Sequence, residues 1–153
     1  DFVENIMVIN FELQRLSRGD RAILYNVYFH RDAAIMRPES TYELNSLVDM
    51  MRENPDYKIC LHGHTNDRYF GEMLIPGPDE EYFAITESAE RKNASAKALS
   101  KARAETIKSY LKQQGIDDGR INIKAWGGKK PIYDRSGQHA ARNVRVEVEI
   151  LRD

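Results

Sequence analysis

One cysteine, one tryptophan and five prolines are all that 153 residues carry of the types that staple or stiffen a chain. With Cys60 as the lone thiol, an internal disulfide is excluded, and the fold must rest on an apolar core, for which this length suffices. In a strand-like setting Cys60 itself reads as a small buried hydrophobe. No apolar run approaches the roughly 20 residues that a bilayer-spanning helix needs. The front has no charged start, apolar middle and small-residue cleavage pattern; a sequence opening on Asp1 fits a processed protein or a fragment, so this says nothing for the cytoplasm. An excess of one charge sign is missing too: 31% of residues are charged, yet the formal net charge is -1. No overall field therefore favours nucleic acid or an anionic membrane surface. Repeats and low-complexity stretches do not stand out.

What the sequence does hold is period. Residues 1–18 read as an opening strand or arm, with Ile6 and Val8 alternating against Met7 and Ile9, and residues 19–153 read as the domain proper. Ile23, Tyr25, Val27 and Phe29 interleave with Leu24, Asn26 and Tyr28, a β-branched and aromatic pattern that predicts a strand. Pro38 suits the first turn of a helix, Ser40 and Glu43 have capping-box spacing, and Leu44, Leu47, Val48 and Met51 recur with helical period up to Asn54-Pro55. A strand from Tyr57 to His62 follows. Leu99, Ala102, Thr106, Ile107, Tyr110 and Leu111 share one side of a second helix that Gly115 ends. Ile121, Ile123 and Ala125, then Val144, Val146, Val148 and Ile150, mark two half-buried strands whose exposed charges (Lys124; Glu147, Glu149) suit cross-strand pairing. The order βαβαββ predicts an α+β two-layer sandwich with helices packed on one face of a mixed sheet.

Residues 68–93 break the pattern. Gly71, Pro76, Gly77 and Pro78 punctuate them and Asp79-Glu80-Glu81 adds an acidic run. A connection of this length inside a domain is unusual. Two readings stand: a surface loop elaborating a rim, or a flap whose Tyr69, Phe70, Tyr82 and Phe83 contact ligand.

The two ends of the stretch Leu61–Arg103 carry the chemistry. Leu61-His62-Gly63-His64-Thr65-Asn66-Asp67 reads as a strand running into a glycine turn that presents polar side chains. Ala96-Lys97-Ala98-Leu99-Ser100-Lys101-Ala102-Arg103 reads as the first turns of the second helix. A guanidinium is a planar fork that holds a carboxylate by two parallel bonds, and a helix start favours anions through its free N–H groups and dipole. Arg103 can therefore be a carboxylate ligand or the structural ion-pair partner of Asp67 or another acid.

These same pieces, GHT followed by Asn66-Asp67, LSKARA at 99–104, the Gly115-Ile116, Arg120-Ile121 and Trp126-Gly127 steps with Pro131, and Asn143 before Arg145-Val146-Glu147, resemble the OmpA-like peptidoglycan-binding domain of peptidoglycan-associated lipoproteins and of the flagellar stator protein MotB. The likeness covers roughly residues 19–151. It implies noncovalent binding of the diaminopimelate in the peptidoglycan stem peptide, without catalysis, cofactor or metal. It also implies a periplasmic location in a diderm bacterium, with envelope proteins as further partners and an outer-membrane assembly anchored to the wall. By the match, Arg103 takes the carboxylate, Thr65, Asn66 and Asp67 surround the amine, and Leu99, Asn143 and Arg145 complete the site. The GHTN opening, the insertion and the AWGGK turn are most similar to Bacteroidota envelope proteins, including the peptidoglycan-binding component of type IX secretion.

Three positions depart from the family pattern: Asn66 stands at the aspartate of GHTD, Ala96 at the asparagine of NxxLS, and Val144 at the first arginine of NRRV. An amide adds no Coulomb attraction for an ammonium. Loss of wall binding, leaving a protein-interaction domain of the same fold, is therefore the alternative from another class. Residue types also admit a metal site on Cys60, His62 and His64, with Asp67 close by, or a hydrolase using Ser100 with His64 or His139. No GxSxG elbow supports the latter, and Cys60 in mid-strand lacks the setting of a nucleophile. Trp126 with Lys129 and Lys130 would make only a weak nucleic-acid patch.

Overall fold

Val146, Val148 and Ile150 alternate along a strand that is buried on both edges, and the sheet forms around it. In the computed structural model, residues 16–66 and 70–152 are described. Their elements run β1 (Arg21–Ile23), α1 (Thr41–Glu53), β2 (Lys58–His64), β3 (Phe70–Ile75), β4 (Glu90–Ser95), α2 (Ala96–Gln113), β5 (Ile121–Gly127) and β6 (Arg145–Arg152). Most of the expected opening arm over residues 1–18, together with Asp67 and Tyr69, lies outside the described residues.

The main sheet has the order β1-β6-β2-β5, antiparallel at the first two junctions and parallel between β2 and β5. Ile59, Leu61, Val146, Val148 and Ile150 point to one side, where Leu44, Leu47, Val48 and Met51 of α1 and Ile107 and Leu111 of α2 close over them in a single core. Each such side chain, removed wholly from water, contributes roughly 1.5–3 kcal/mol before entropy is counted. Helices on one face of a mixed sheet are the expected architecture.

Four local expectations are corrected. The strand predicted across Ile23–Phe29 stops at Ile23, apart from one further bond from Leu24 N to Val146 O. Beyond it the chain turns, because Glu43 Oε2 accepts from Asn26 N (2.7 Å) and Ser40 Oγ accepts from Tyr28 N (2.7 Å) and donates to Tyr28 O (3.1 Å). Ser40 and Glu43 therefore do not form a capping box; they tie the preceding segment to the start of α1, and Ser40 makes no side-chain cap. The 68–93 stretch is a loop only over 76–89: on either side of it β3 and β4 pair as a second, two-stranded sheet, and β4 runs straight into α2. Finally, β5 and β6 are separated by β2, so Lys124 does not pair with Glu147 or Glu149 across adjacent strands.

Candidate functional site

The end of β2 and the first turn of α2 meet at Gly63. A Cβ there would collide with the backbone carbonyl of Ser100, so only glycine lets the strand pass this close to the helix. Ser100 Oγ accepts from Gly127 N at 3.1 Å and donates to Lys97 O at 2.9 Å, while Thr65 N donates to Gly127 O at 2.8 Å. Strand β2, strand β5 and the helix start thus converge on one point. With its hydroxyl held by backbone on both sides, Ser100 is a packing residue, and no histidine reaches it through these bonds.

Leu99 and Arg103 lie on the next turns of α2, whose start is capped by Ser95 accepting from Ala98 N. Leu99 packs with Met73 of β3 and Ala94 of β4. Arg103 is only 7% exposed. Its Nε donates to Ala33 O at 3.0 Å, and its guanidinium carbon stands 5.1 Å from the Phe29 ring centre. One turn on, Thr106 Oγ1 donates to Ala34 O at 2.6 Å. The segment 32–34 that receives these bonds is itself held by β3, through Leu74 N to Asp32 O and Ala34 N to Leu74 O. The inserted hairpin is therefore the brace that fixes the arginine's stem and leaves its orientation little freedom.

Tyr82 and Phe83, one arm of the flap reading, are packing residues instead. Tyr82 joins the main core, and Phe83 meets Tyr110 edge to face with ring centres 5.0 Å apart. Tyr69 and the Phe70 side chain lie outside the described residues.

Asn66, Asn143 and Arg145 form one hydrogen-bonded group. Asn143 is fully buried: its Oδ1 accepts from Ile132 N and Tyr133 N, both at 2.8 Å, and its Nδ2 donates to Asn66 Oδ1 at 2.7 Å and Tyr133 O at 3.0 Å. That uses every site an amide offers. Asn66 Nδ2 in turn donates to Arg135 O at 3.2 Å. Arg145 is clamped by Glu147 (Nε and Nη2 each 2.7 Å from Oε2) and donates to the carbonyls of Asn143 and Lys130. Together these residues hold the connection 128–143 against the sheet. The sequence offered one signal of this, the Asn143–Arg145 spacing, but not what the pair would grip.

Cys60, His62 and Glu149 place one ligand-type atom each within 4.8 Å of one another. Trp126 Nε1, which can only donate, bonds His62 Nδ1 at 2.9 Å, so Nδ1 is the acceptor and the proton is on Nε2, donated to Glu149 Oε1 at 2.7 Å. That bond holds the Glu149 carboxyl below its ordinary range. A metal on Nε2 would require the proton on Nδ1, facing the indole N–H. His62 and Glu149 are thus satisfied by hydrogen bonds to each other and, for His62, to Trp126. His64 is not part of these bonds; burial, helped by the Arg145 charge, pushes its pKa down to about 4 and keeps it neutral.

Comparison with known proteins places the chain. The OmpA family model matches residues 28–145, and the chain belongs to that family. It is 26% identical over 126 residues to outer membrane porin F of Pseudomonas fluorescens, an alignment spanning 82% of this chain and 32% of the porin. It is 20% identical over 114 residues to the peptidoglycan-associated lipoprotein of Brucella melitensis, spanning 74% of this chain and 52% of the lipoprotein. The chain thus corresponds to about a third to a half of these relatives' length. Among solved structures, the cell wall anchor of the T6SS from Pseudomonas aeruginosa superposes with a TM-score of 0.63 at 20% identity, over 97% of this chain and 96% of the anchor, which shows the shared fold.

Proposed function

We propose that the domain binds peptidoglycan noncovalently, through the diaminopimelate of the stem peptide, and anchors an envelope assembly to the wall from the periplasm. The observation that carries this is the meeting of Thr65–Asn66 and the α2 start at Gly63, with Arg103 braced on the next turns of the helix. A guanidinium fixed at Nε by a carbonyl presents its terminal nitrogens in a set direction, which is what paired bonding to a carboxylate requires. Family membership and the names of the relatives, a peptidoglycan-associated lipoprotein and a cell wall anchor, support the same reading. No reaction is proposed: Ser100 and His62 are held in internal bonds, and the protein should leave wall fragments unchanged, releasing no soluble muropeptides. Thr65, Asn66, Asp67, Leu99, Asn143 and Arg145 are proposed to shape the site around Arg103, with Asp67 supplying the negative charge that Asn66 lacks. The GHTN opening, the hairpin and the AWGGK turn support the narrower placement in a Bacteroidota type IX secretion assembly.

Purified sacculi should pull down the wild-type protein and not Arg103→Ala or Arg103→Lys. Lysine keeps charge and stem but cannot make paired bonds. Binding retained by a folded Arg103→Ala protein overturns the proposal. Asn66, whose amide is taken up by Asn143 and Arg135, favours a second reading, a protein-interaction domain without wall binding; that reading predicts no pull-down even by the wild type.

A further inference from the structure

On the face of the main sheet away from the helices, the side chains are not apolar. Cys60, His62 and His64 of β2 stand beside Lys124 and Trp126 of β5 and Arg145, Glu147 and Glu149 of β6. Residues 130–132 arch over them, held by Arg145 at Lys130 O and by Asn143 at Ile132 N. Between arch and sheet lies a groove of about 900 Å³.

Two features of the groove bear on what it can hold. His64, 3% exposed, lines it, yet neither of its ring nitrogens has a hydrogen-bond partner among the described residues. Glu147 Oε2, 3.5 Å from His64 Nε2, is already taken by Arg145. Buried polar atoms of this kind are uncommon and call for a partner. Second, Lys124 and Lys130 hold their ammonium groups 4.4 and 5.0 Å from the centre of the same Trp126 ring, and neither makes an ion pair among the described residues. Four cationic side chains line the groove against two carboxylates.

The identity of the spoken-for cations selects the ligand. Both guanidiniums are engaged by carboxylates, Arg145 by Glu147 and Arg21 by Glu147 and Glu149. The forks that match a carboxylate are therefore occupied, and two compact ammonium charges remain. Such a pair suits a dianion with oxygens spread in several directions. A neutral imidazole adds one N–H donor, which meets a P–O oxygen, and one bare nitrogen, which accepts from a hydroxyl of the group that carries the phosphate.

We propose that this groove binds a phosphate monoester, its oxygens held between Lys124 and Lys130 and its far side reaching His64. The inference does not rest on the wall-binding reading, since Arg103 takes no part in it. The phosphate can come from a saccharide or from a lipid headgroup, and two probes separate these.

The test follows the Trp126 indole and His64 imidazole resonances of the full chain by NMR. One arm titrates glucose 1-phosphate; the other adds phosphatidylcholine vesicles with and without phosphatidic acid. A saturable shift with the sugar phosphate supports a saccharide source, and one that needs phosphatidic acid supports a lipid source. Lys124→Gln with Lys130→Gln should weaken either by roughly tenfold or more, while Arg103→Ala should leave it unchanged. Absence of a saturable shift in both arms, or a shift that the double substitution does not weaken, overturns the proposal.

Discussion

Asn143 Nδ2 donates to Asn66 Oδ1 at 2.7 Å, joining the turn after β2 to the residue that leads into β6 across 77 positions of sequence. Around this contact the 128–143 connection is folded down, since the same Asn143 amide holds Ile132, Tyr133 and the Tyr133 carbonyl. The two asparagines act as one clasp between a proposed wall site and a cationic groove.

Asn143→Ala should open that clasp. Two backbone N–H groups and the Asn66 amide lose a buried partner, at about 1–3 kcal/mol for each that water cannot reach. Urea denaturation should show a loss of about 2–4 kcal/mol, and hydrogen exchange at Ile132 and Tyr133 should quicken. Unchanged exchange at those two amides would show that the loop is held by something else.

Gly63→Ala tests the close approach of β2 to α2. The added methyl meets backbone, which cannot swing aside as a flexible side chain does. Overpacking of this kind costs about 1–3 kcal/mol, or roughly 2–12 °C in Tm for a chain of this size, and sacculus binding should fall with it because strand and helix must separate. A Tm equal to wild type would show that the two elements are free to part.

Glu43 makes stability depend on pH. Burial pushes its pKa up to about 7, opposed by the bond from Asn26 N, and it is 1% exposed. A raised carboxyl pKa means that the folded state holds a proton the unfolded chain has released. Its contribution is complete below the ordinary carboxylate range and is lost as pH rises through about 7. Glu43→Gln, which keeps the acceptor for Asn26, should remove a decline on the order of 3 kcal/mol between pH 5 and 8. His64 has the opposite sign. Its pKa is lowered to about 4, so stability falls as pH drops from the ordinary histidine range toward 4. Thermal melts of Glu43→Gln and wild type across this window check both slopes.

Arg120 offers a control for stability without function. Its Nε donates to Tyr57 O at 2.9 Å and its Nη2 to Met51 O and Asn54 O, both at 2.8 Å, satisfying carbonyls at the end of α1. Arg120→Ala should cost about 1–3 kcal/mol in denaturation with sacculus binding per folded molecule unchanged. Loss of binding in a folded Arg120→Ala protein would place the wall site elsewhere than at Arg103.

Period and punctuation were enough to read both helices and the β2, β5 and β6 strands, because helix and strand faces are local patterns and Gly115 or Asn54-Pro55 end them by local sterics; the family was legible separately, through the resemblance carried by GHT, LSKARA and the Asn143–Glu147 motif. The junction of β2 with α2 was also legible, since Gly63 and the LSKARA turn bracket it. Where local pattern and distant partner disagreed, the pattern misled. Tyr25, Val27 and Phe29 alternate like a strand, yet Glu43 and Ser40 capture the backbone of the intervening Asn26 and Tyr28.

By itself, then, the amino-acid order determined which segments are helical or extended, which face of each is apolar, and that an arginine sits at a helix start near a polar turn. Tertiary structure alone decided that β2 lies between β6 and β5, that residues 70–75 and 90–95 pair as a brace for Arg103, and that Asn143 and Arg145 hold an arch over a cationic groove. The reason is physical. Burial follows from spacing along the chain, whereas the partner of a hydrogen bond or guanidinium is fixed only when segments distant in sequence pack together.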